Sequence, residues 1–276
     1  MKNKKAQLFL VTLTLLAFTI LTLSIIAYQT SQSFENRLSD IASFERLSNL
    51  DLSAQKVLKN IFDDKSGINV TIKGLDVTFE ETLPNVHAEF NASLDSFKNY
   101  LETNFDSINL SIGSIKQYIP LLMPSHNIFY NHSQNNVINI TNSEFNINAL
   151  DVYFATNSTL LSGYSCSLTM GSSPSILLSV SGDLANGGRY DCVGQIDPTK
   201  HSLASINTSQ GNMTVIITNP GTILITVPNG VYSKVKTKMT VNNTNENQLE
   251  VRYPLGVINI NFVNLGVKKL GDARIA

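Results

Sequence analysis

The chain begins with an uninterrupted apolar segment at residues 8–28, which are mostly Leu, Ile, Val, Phe and Thr and carry no charge. At about 1.5 Å per helical residue, these 21 residues span roughly 30 Å, the thickness of the hydrocarbon core of a bilayer. The segment is longer than the apolar part of a secretory signal, and no small-x-small cleavage motif follows it. We therefore predict that residues 1–28 form a basic cytoplasmic tip and a retained transmembrane helix.

A helical pattern continues beyond the membrane segment, over residues 29–66. No Pro or Gly occurs between residues 5 and 65, so one helix of about 55 residues, roughly 80 Å long, is predicted to run on as an amphipathic stalk. Gly67 is its expected C-cap. A heptad-like stripe covers only about two repeats, which favours packing on the chain's own β-rich part over a coiled-coil dimer. The stripe consists of Leu47, Leu50, Ala54, Val57 and Ile61.

Shorter patterns follow over residues 67–150, where we predict a small α+β module. Alternating apolar and polar positions predict strands, and apolar residues three or four apart predict a helix over 86–105. The adjacent acidic residues Glu80 and Glu81 are interpreted as part of a turn. The predicted strands cover residues 68–72, 75–79, 108–112 and 115–119.

The remainder, residues 151–276, shows β patterns at intervals of about 8–12 residues, separated by turn sequences rich in Asn, Gly and Pro. This spacing is typical of an antiparallel β-sandwich. The fold class predicted for the whole chain is therefore mainly β with a long N-terminal helix. The pattern leaves open whether the α+β module and the sandwich share one core or form two.

The composition suits a location outside the cytoplasm for most of the chain. Charged residues are only 15% of the sequence, against about 25% in ordinary soluble domains, and Asn, Ser and Thr take their place. The net charge of −1 gives no indication of nucleic-acid binding. Lys2, Lys4 and Lys5 precede the apolar segment, so the positive-inside rule puts the N-terminus in the cytoplasm and the bulk of the chain outside.

Charge is unevenly distributed along the chain. Residues 63–199 contain five basic and fourteen acidic residues, whereas residues 200–276 contain eight basic and three acidic ones. Two solvated faces would account for this asymmetry. The alternative is a pair of complementary segments that meet within the fold or between copies.

Two cysteines, Cys166 and Cys192, lie in the predicted sandwich. Outside the cell a disulfide between them is expected, with two buried free thiols as the alternative. Nine N-x-S/T sequons lie after the membrane segment and are candidate glycosylation sites. They are Asn69, Asn91, Asn109, Asn131, Asn139, Asn157, Asn207, Asn212 and Asn242.

No catalytic or cofactor motif is present, so we predict neither an enzyme nor a bound cofactor. Of the four histidines, His126 and His132 are close in sequence, but no carboxylate lies between them, and no metal site is predicted. Asp183 and Asp191 lie near Cys192 but match no EF-hand pattern.

The junction Lys4-Lys5-Ala6-Gln7, directly before the apolar helix, resembles the class III signal of archaeal type IV pilin-like proteins. The resemblance covers about the first 28 residues. It implies cleavage between Ala6 and Gln7, and packing of the helix with copies of itself or related pilins. Val11 stands at the fifth mature position, where many pilins have Glu.

These features predict a membrane-anchored surface protein in contact with the lipid bilayer, and the resemblance implies that it is a filament component. The alternative is a tethered adhesin or sensor ectodomain that does not assemble. A plain signal anchor would account for the same basic flank.

Overall fold

The structure is a computed structural model that describes residues 2–104, 108–111, 120–142, 144, 146–171, 175–218, 221–242, 249–262 and 265–276. Its helices are α1 (Lys2–Lys65), α2 (Ala88–Asn104) and a 3-10 turn, Pro124–His126. The other regular elements in these ranges are strands, arranged in two sheets. The prediction of a mainly β chain with a long N-terminal helix is confirmed.

One sheet has six strands, and neighbouring strands are antiparallel except for one parallel pair, formed by Ile147–Thr156 and Ile176–Asp183. In spatial order the strands are β1 (Ile68–Lys73), β2 (Asp76–Leu83), β14 (Ser233–Val241), β7 (Ile147–Thr156), β9 (Ile176–Asp183) and β10 (Arg189–Ile196).

The second sheet has ten strands, and its described pairings are antiparallel. Nine follow one another in the order β16 (Leu265–Arg274), β15 (Arg252–Phe262), β4 (Leu121–Met123), β5 (Ile128–Gln134), β6 (Val137–Asn142), β13 (Thr222–Thr226), β12 (Gly211–Thr218), β11 (Ser202–Thr208) and β8 (Leu160–Ser167). The tenth strand, β3 (Ile108–Ser111), pairs with β15.

The chain divides into two compact units, residues 1–53 and 54–276. Within the first unit, Leu15–Glu35 is long and apolar enough to cross a membrane. Its large apolar side chains are exposed, as in Phe18 at 69% and Leu23 at 65%. An exposed apolar surface of this length is stable in lipid and unfavourable in water. The stretch overlaps the predicted membrane segment, residues 8–28.

The last turns of α1 belong to the second unit and pack into its core. Ala54, Leu58 and Phe62 are buried, and the Phe62 ring lies 6.2 Å from that of Phe90 and 6.0 Å from that of Tyr253. These last turns of α1 therefore pack on the chain's own β-rich part.

The phase of the predicted stripe is wrong in this part of the helix. Val57 is 38% exposed and Ile61 is only partly buried, because the buried residues follow one line of i, i+4 positions. The side chains of Leu47 and Leu50 lie outside the described residues. Gly67, with a φ of +71°, ends the helix as predicted.

Both sheets draw strands from either side of residue 150. β2 pairs with β14, and β6 pairs with β13, so the predicted α+β module and the predicted sandwich share their sheets. Helix α2 and strand β1 lie where the sequence predicts them. The predicted strand at 115–119 lies outside the described residues.

The interpretation of Glu80 and Glu81 as a turn is wrong, because both lie inside β2. Glu80 faces outward and pairs with Lys236 on β14 at 2.7 Å, while Asp76 pairs with Lys238 at 2.8 Å. The hydrogen bond from Lys236 lowers the pKa of Glu80. The acidic and basic segments thus meet along this strand pair, within the fold.

The two sheets contact each other at several points. The ring of Phe79 on β2 stacks on that of Tyr130 on β5, with centroids 4.2 Å apart. The predicted disulfide is confirmed, and it joins Cys166 on β8 to Cys192 on β10. Both of these strands are at the edge of their sheet, so the disulfide links one edge to the other.

Candidate metal centre

A buried carboxylate lies on the core-facing side of β2. In this strand Val77, Phe79, Glu81 and Leu83 are buried and alternate with outward-facing residues. Strand geometry therefore puts Glu81 in the row of core side chains, where its side chain is fully shielded from solvent. A buried carboxylate is costly unless charged or hydrogen-bonding groups compensate it.

Strand β5 brings two such partners from the other sheet. Its buried face carries Ile128, Tyr130 and His132 in alternation. The Tyr130 hydroxyl donates a hydrogen bond to Oε1 of Glu81. Nε2 of His132 lies 3.1 Å from Oε1 and 2.9 Å from Oε2 of the same carboxylate.

The third member of the cluster, His87, comes from the segment between β2 and α2. Its φ is +49°, a left-handed conformation that is uncommon for residues other than Gly, although His adopts it more often than most. Two hydrogen bonds fix it there: its backbone N–H donates to Oδ1 of Asn85 at 3.1 Å, and Nδ1 lies 3.0 Å from the carbonyl oxygen of Ser66. The segment after α1 therefore positions the ring.

The Ser66 contact determines which His87 nitrogen carries the hydrogen. A carbonyl oxygen only accepts, so Nδ1 must donate, and Nε2 keeps its lone pair. The His87 and His132 rings meet edge to face, with centroids 4.8 Å apart. Burial, followed by the neighbouring His132, lowers the pKa of His87 to about 4, so this ring is neutral at pH 7.

One potential ligand atom from each of Glu81, His87 and His132 lies within 4.8 Å of the other two. Three atoms of the cluster are buried with no hydrogen-bond partner among the described residues: Oε2 of Glu81, Nε2 of His87 and Nδ1 of His132. Oε2 is close to His132 but not in hydrogen-bond geometry. Unpaired buried polar atoms are rare in folded proteins and call for an explanation.

Burial, followed by the charge and hydrogen bonding of Glu81, raises the pKa of Tyr130 well above its usual range, so this hydroxyl stays protonated and acts as a donor. The cluster contains two imidazoles and a carboxylate, and this set of ligands suits a first-row transition metal ion. All three residues are at most 5% exposed, so the cluster is closed to bulk solvent.

The other two histidines lie outside this cluster. Nε2 of His126 lies 2.9 Å from the carbonyl oxygen of Asn242, and Nδ1 lies 2.8 Å from Oγ of Ser125. His201 is exposed. The sequence pairing of His126 with His132 therefore does not correspond to the cluster. Asp183 accepts a hydrogen bond from Tyr153 at 2.6 Å.

The sequence contained a signal for two of the three cluster residues. Glu81 is in phase with Val77 and Phe79, and His132 is in phase with Ile128, so each strand carries a charged or titratable residue on its core face. No pattern marks His87, because it lies in an irregular segment and reaches the cluster through contacts with Ser66 and Asn85.

The candidate glycosylation sites differ in accessibility. Asn69, Asn157 and Asn212 are exposed, whereas the side-chain oxygens of Asn91, Asn131 and Asn139 are buried. Asn207 and Asn242 are partly buried, and the side chain of Asn109 lies outside the described residues. The side chains of Lys2, Lys4, Lys5, Ala6, Gln7 and Val11 also lie outside them.

Comparison with known proteins places this chain in no family: no family model matches it, and no curated protein or solved structure does so either.

Proposed function

We propose that the protein is a membrane-anchored surface protein of the type IV pilin-like class, with its β-rich unit outside the cell. The observation that supports it most is helix α1, which carries an exposed apolar stretch at Leu15–Glu35 and buries Ala54, Leu58 and Phe62 in the β-rich unit. A single helix whose first part can cross a membrane and whose last turns pack into a folded domain suits a membrane anchor that continues as a stalk.

Three further features support an extracytoplasmic location. The disulfide between Cys166 and Cys192 is typical of an oxidising compartment. Low charge and abundant Asn, Ser and Thr suit a glycosylated surface. The basic tip, with Lys2, Lys4 and Lys5, orients the helix with its N-terminus in the cytoplasm. In this proposal the two sheets pack face to face as a β-sandwich, consistent with the Phe79 and Tyr130 stacking between them.

The second candidate is a tethered adhesin or sensor ectodomain that stays unassembled. It is favoured by Val11, which lacks the carboxylate that many pilins carry at the equivalent position. Both candidates have the same topology and lack an enzymatic role. They differ in whether the N-terminus is processed and whether the helix packs with other copies.

Mature protein extracted from native membranes is expected to begin at Gln7, as shown by intact-mass measurement and N-terminal sequencing. Substituting Ala6→Phe should block cleavage, because the resemblance implies a cut directly after a small residue. The matched control, Ala27→Phe, makes the same change inside the apolar helix and should be processed normally.

An intact Met1 in the wild-type protein would exclude prepilin processing and leave the tethered ectodomain. Gln7 at the mature terminus, with filaments visible on cells by electron microscopy and absent in Ala6→Phe, would support assembly. Processing without filaments would indicate an anchored, unassembled pilin-like protein.

Glycans are expected at Asn69, Asn157 and Asn212, because an enzyme can reach these exposed side chains in the folded domain. Thr71→Val removes the sequon of Asn69 and should reduce the intact mass of native protein by one glycan. Thr141→Val removes the sequon of Asn139, whose side-chain oxygen is buried, and should leave the glycan mass unchanged. A native mass equal to that of the bare polypeptide would exclude glycosylation altogether.

A further inference from the structure

We infer that Glu81, His87 and His132 form a structural binding site for one transition-metal dication of the zinc class, in the core of the β-rich unit. The site would supply one carboxylate oxygen and two imidazole nitrogens from three separate segments of the chain. It does not depend on whether the protein is a pilin, because it lies entirely within residues 54–276.

The unpaired atoms carry this inference. Oε2 of Glu81 and Nε2 of His87 are buried and accept no hydrogen bond from a described residue, although Nε2 of His132 lies 2.9 Å from Oε2. His132 would use this Nε2 as its ligand atom, because Nδ1 lies on the side of the ring away from Glu81. A core built only for packing would leave these buried atoms without a partner, which is unfavourable. A cation removes that cost, because carboxylate oxygens and neutral imidazole nitrogens are its preferred ligands.

The surroundings of the ligands have the arrangement found around metal sites. Metal-binding histidines usually donate their other N–H to a carbonyl or carboxylate, and ligating carboxylates are themselves hydrogen-bonded. Nδ1 of His87 faces the carbonyl oxygen of Ser66, and the Tyr130 hydroxyl donates to Glu81. Two of the three ligands are thus already oriented by outer contacts.

The distances are compatible with closure around an ion. Zinc–nitrogen and zinc–oxygen distances near 2.0–2.1 Å put neighbouring ligands of a tetrahedral site about 3.3 Å apart. The candidate ligand atoms all lie within 4.8 Å of one another, so an approach of at most about 1.5 Å completes the set. Small side-chain rotations supply a movement of this size, and a water molecule would complete the tetrahedron.

The placement of the ligands indicates a structural role. Glu81 lies on the six-stranded sheet, His132 lies on the ten-stranded sheet, and His87 is tied through Ser66 to the end of α1. An ion bound by all three would cross-link the two sheets and the base of the stalk. The burial of all three residues leaves no open approach for a substrate.

The test uses full-length protein in detergent, stripped with a chelator and then titrated with Zn²⁺ against a chromophoric competitor. We expect one equivalent to bind, and a rise in the thermal unfolding midpoint of the wild type. His87→Asn keeps the left-handed backbone accessible while removing Nε2, and should weaken affinity at least 100-fold. His132→Gln should do the same.

His126→Gln is the matched control, because His126 is equally buried but bonds to Asn242 and Ser125 outside the cluster. It should retain wild-type affinity for Zn²⁺, as should His201→Gln, which changes an exposed side chain.

X-ray absorption of the zinc-loaded wild type provides a second measurement, which is needed if a cluster variant fails to fold. The spectrum is expected to show two imidazoles and at least one oxygen ligand. No binding by wild type, equal affinity in folded His87→Asn, or a spectrum without imidazole ligands would overturn the proposal.

Discussion

Replacing His132 with Leu in the metal-free protein is expected to lower the free energy of unfolding by about 3–5 kcal/mol. The substitution leaves the Glu81 carboxylate in the core without the imidazole that lies 2.9–3.1 Å from its oxygens. Only the Tyr130 hydroxyl then still donates to it. A buried carboxylate that loses one of its two partners is less well compensated for the water it gave up on folding.

The matching second change is Glu81→Gln, which removes the charge while keeping an oxygen that accepts the Tyr130 hydrogen bond. The double variant should be destabilised by clearly less than the sum of the two single variants, with a coupling of about 1–3 kcal/mol. Denaturant unfolding at pH 7 with chelator, followed by tyrosine circular dichroism, measures this. The chain suits that probe because it has nine Tyr and no Trp.

A control cycle combines Glu81→Gln with His126→Leu. His126 is also buried, but its ring nitrogens bond to Ser125 and Asn242, so it shares no partner with Glu81 among the described residues. These two changes should add within about 0.5 kcal/mol. Additivity in the His132 cycle as well would contradict the view that Glu81 and His132 stabilise each other.

Breaking the disulfide is expected to lower the free energy of unfolding by about 3 kcal/mol, because Cys166 and Cys192 are 26 positions apart in sequence and the open chain regains loop entropy. The link also holds β8 against β10, each at the edge of its sheet, so the loss should be greatest in these strands. Hydrogen exchange of the two edge strands, with and without reductant, measures this local effect.

The variant for this experiment is the double substitution Cys166→Ser with Cys192→Ala. Ser suits the exposed position of Cys166, and Ala suits the buried position of Cys192. Adding reductant to this variant is the control and should change nothing. If the wild type unfolds at the same denaturant concentration with and without reductant, the disulfide does not contribute to stability.

The sequence pattern was sufficient to predict those helices and strands that depend on local interactions along the chain. A charge-free run of membrane length and the absence of Pro and Gly specify α1 up to its Gly67 cap. Alternation predicted β1, and spacing of three and four predicted α2, because backbone periodicity alone decides which side chains share a face.

Local patterns do not predict the structure where partners distant in sequence decide the outcome. Glu80 and Glu81 form a polar pair that is typical of a turn, but β14 supplies lysines for Glu80, and β5 supplies His132 and Tyr130 for Glu81. With those partners, a strand becomes the stable arrangement. The partners lie about 50 and 150 residues away, beyond the reach of any local pattern.

The sequence by itself determined an N-terminal apolar helix, a mainly β remainder and a cysteine pair able to form a disulfide. Only the tertiary structure decided that strands from both halves share the two sheets, and that Glu81, His87 and His132 meet. Strand pairing depends on long-range register, and the cluster depends on side chains from separate segments that converge in the core. Proximity in space between residues distant in sequence comes from the packing of the fold as a whole.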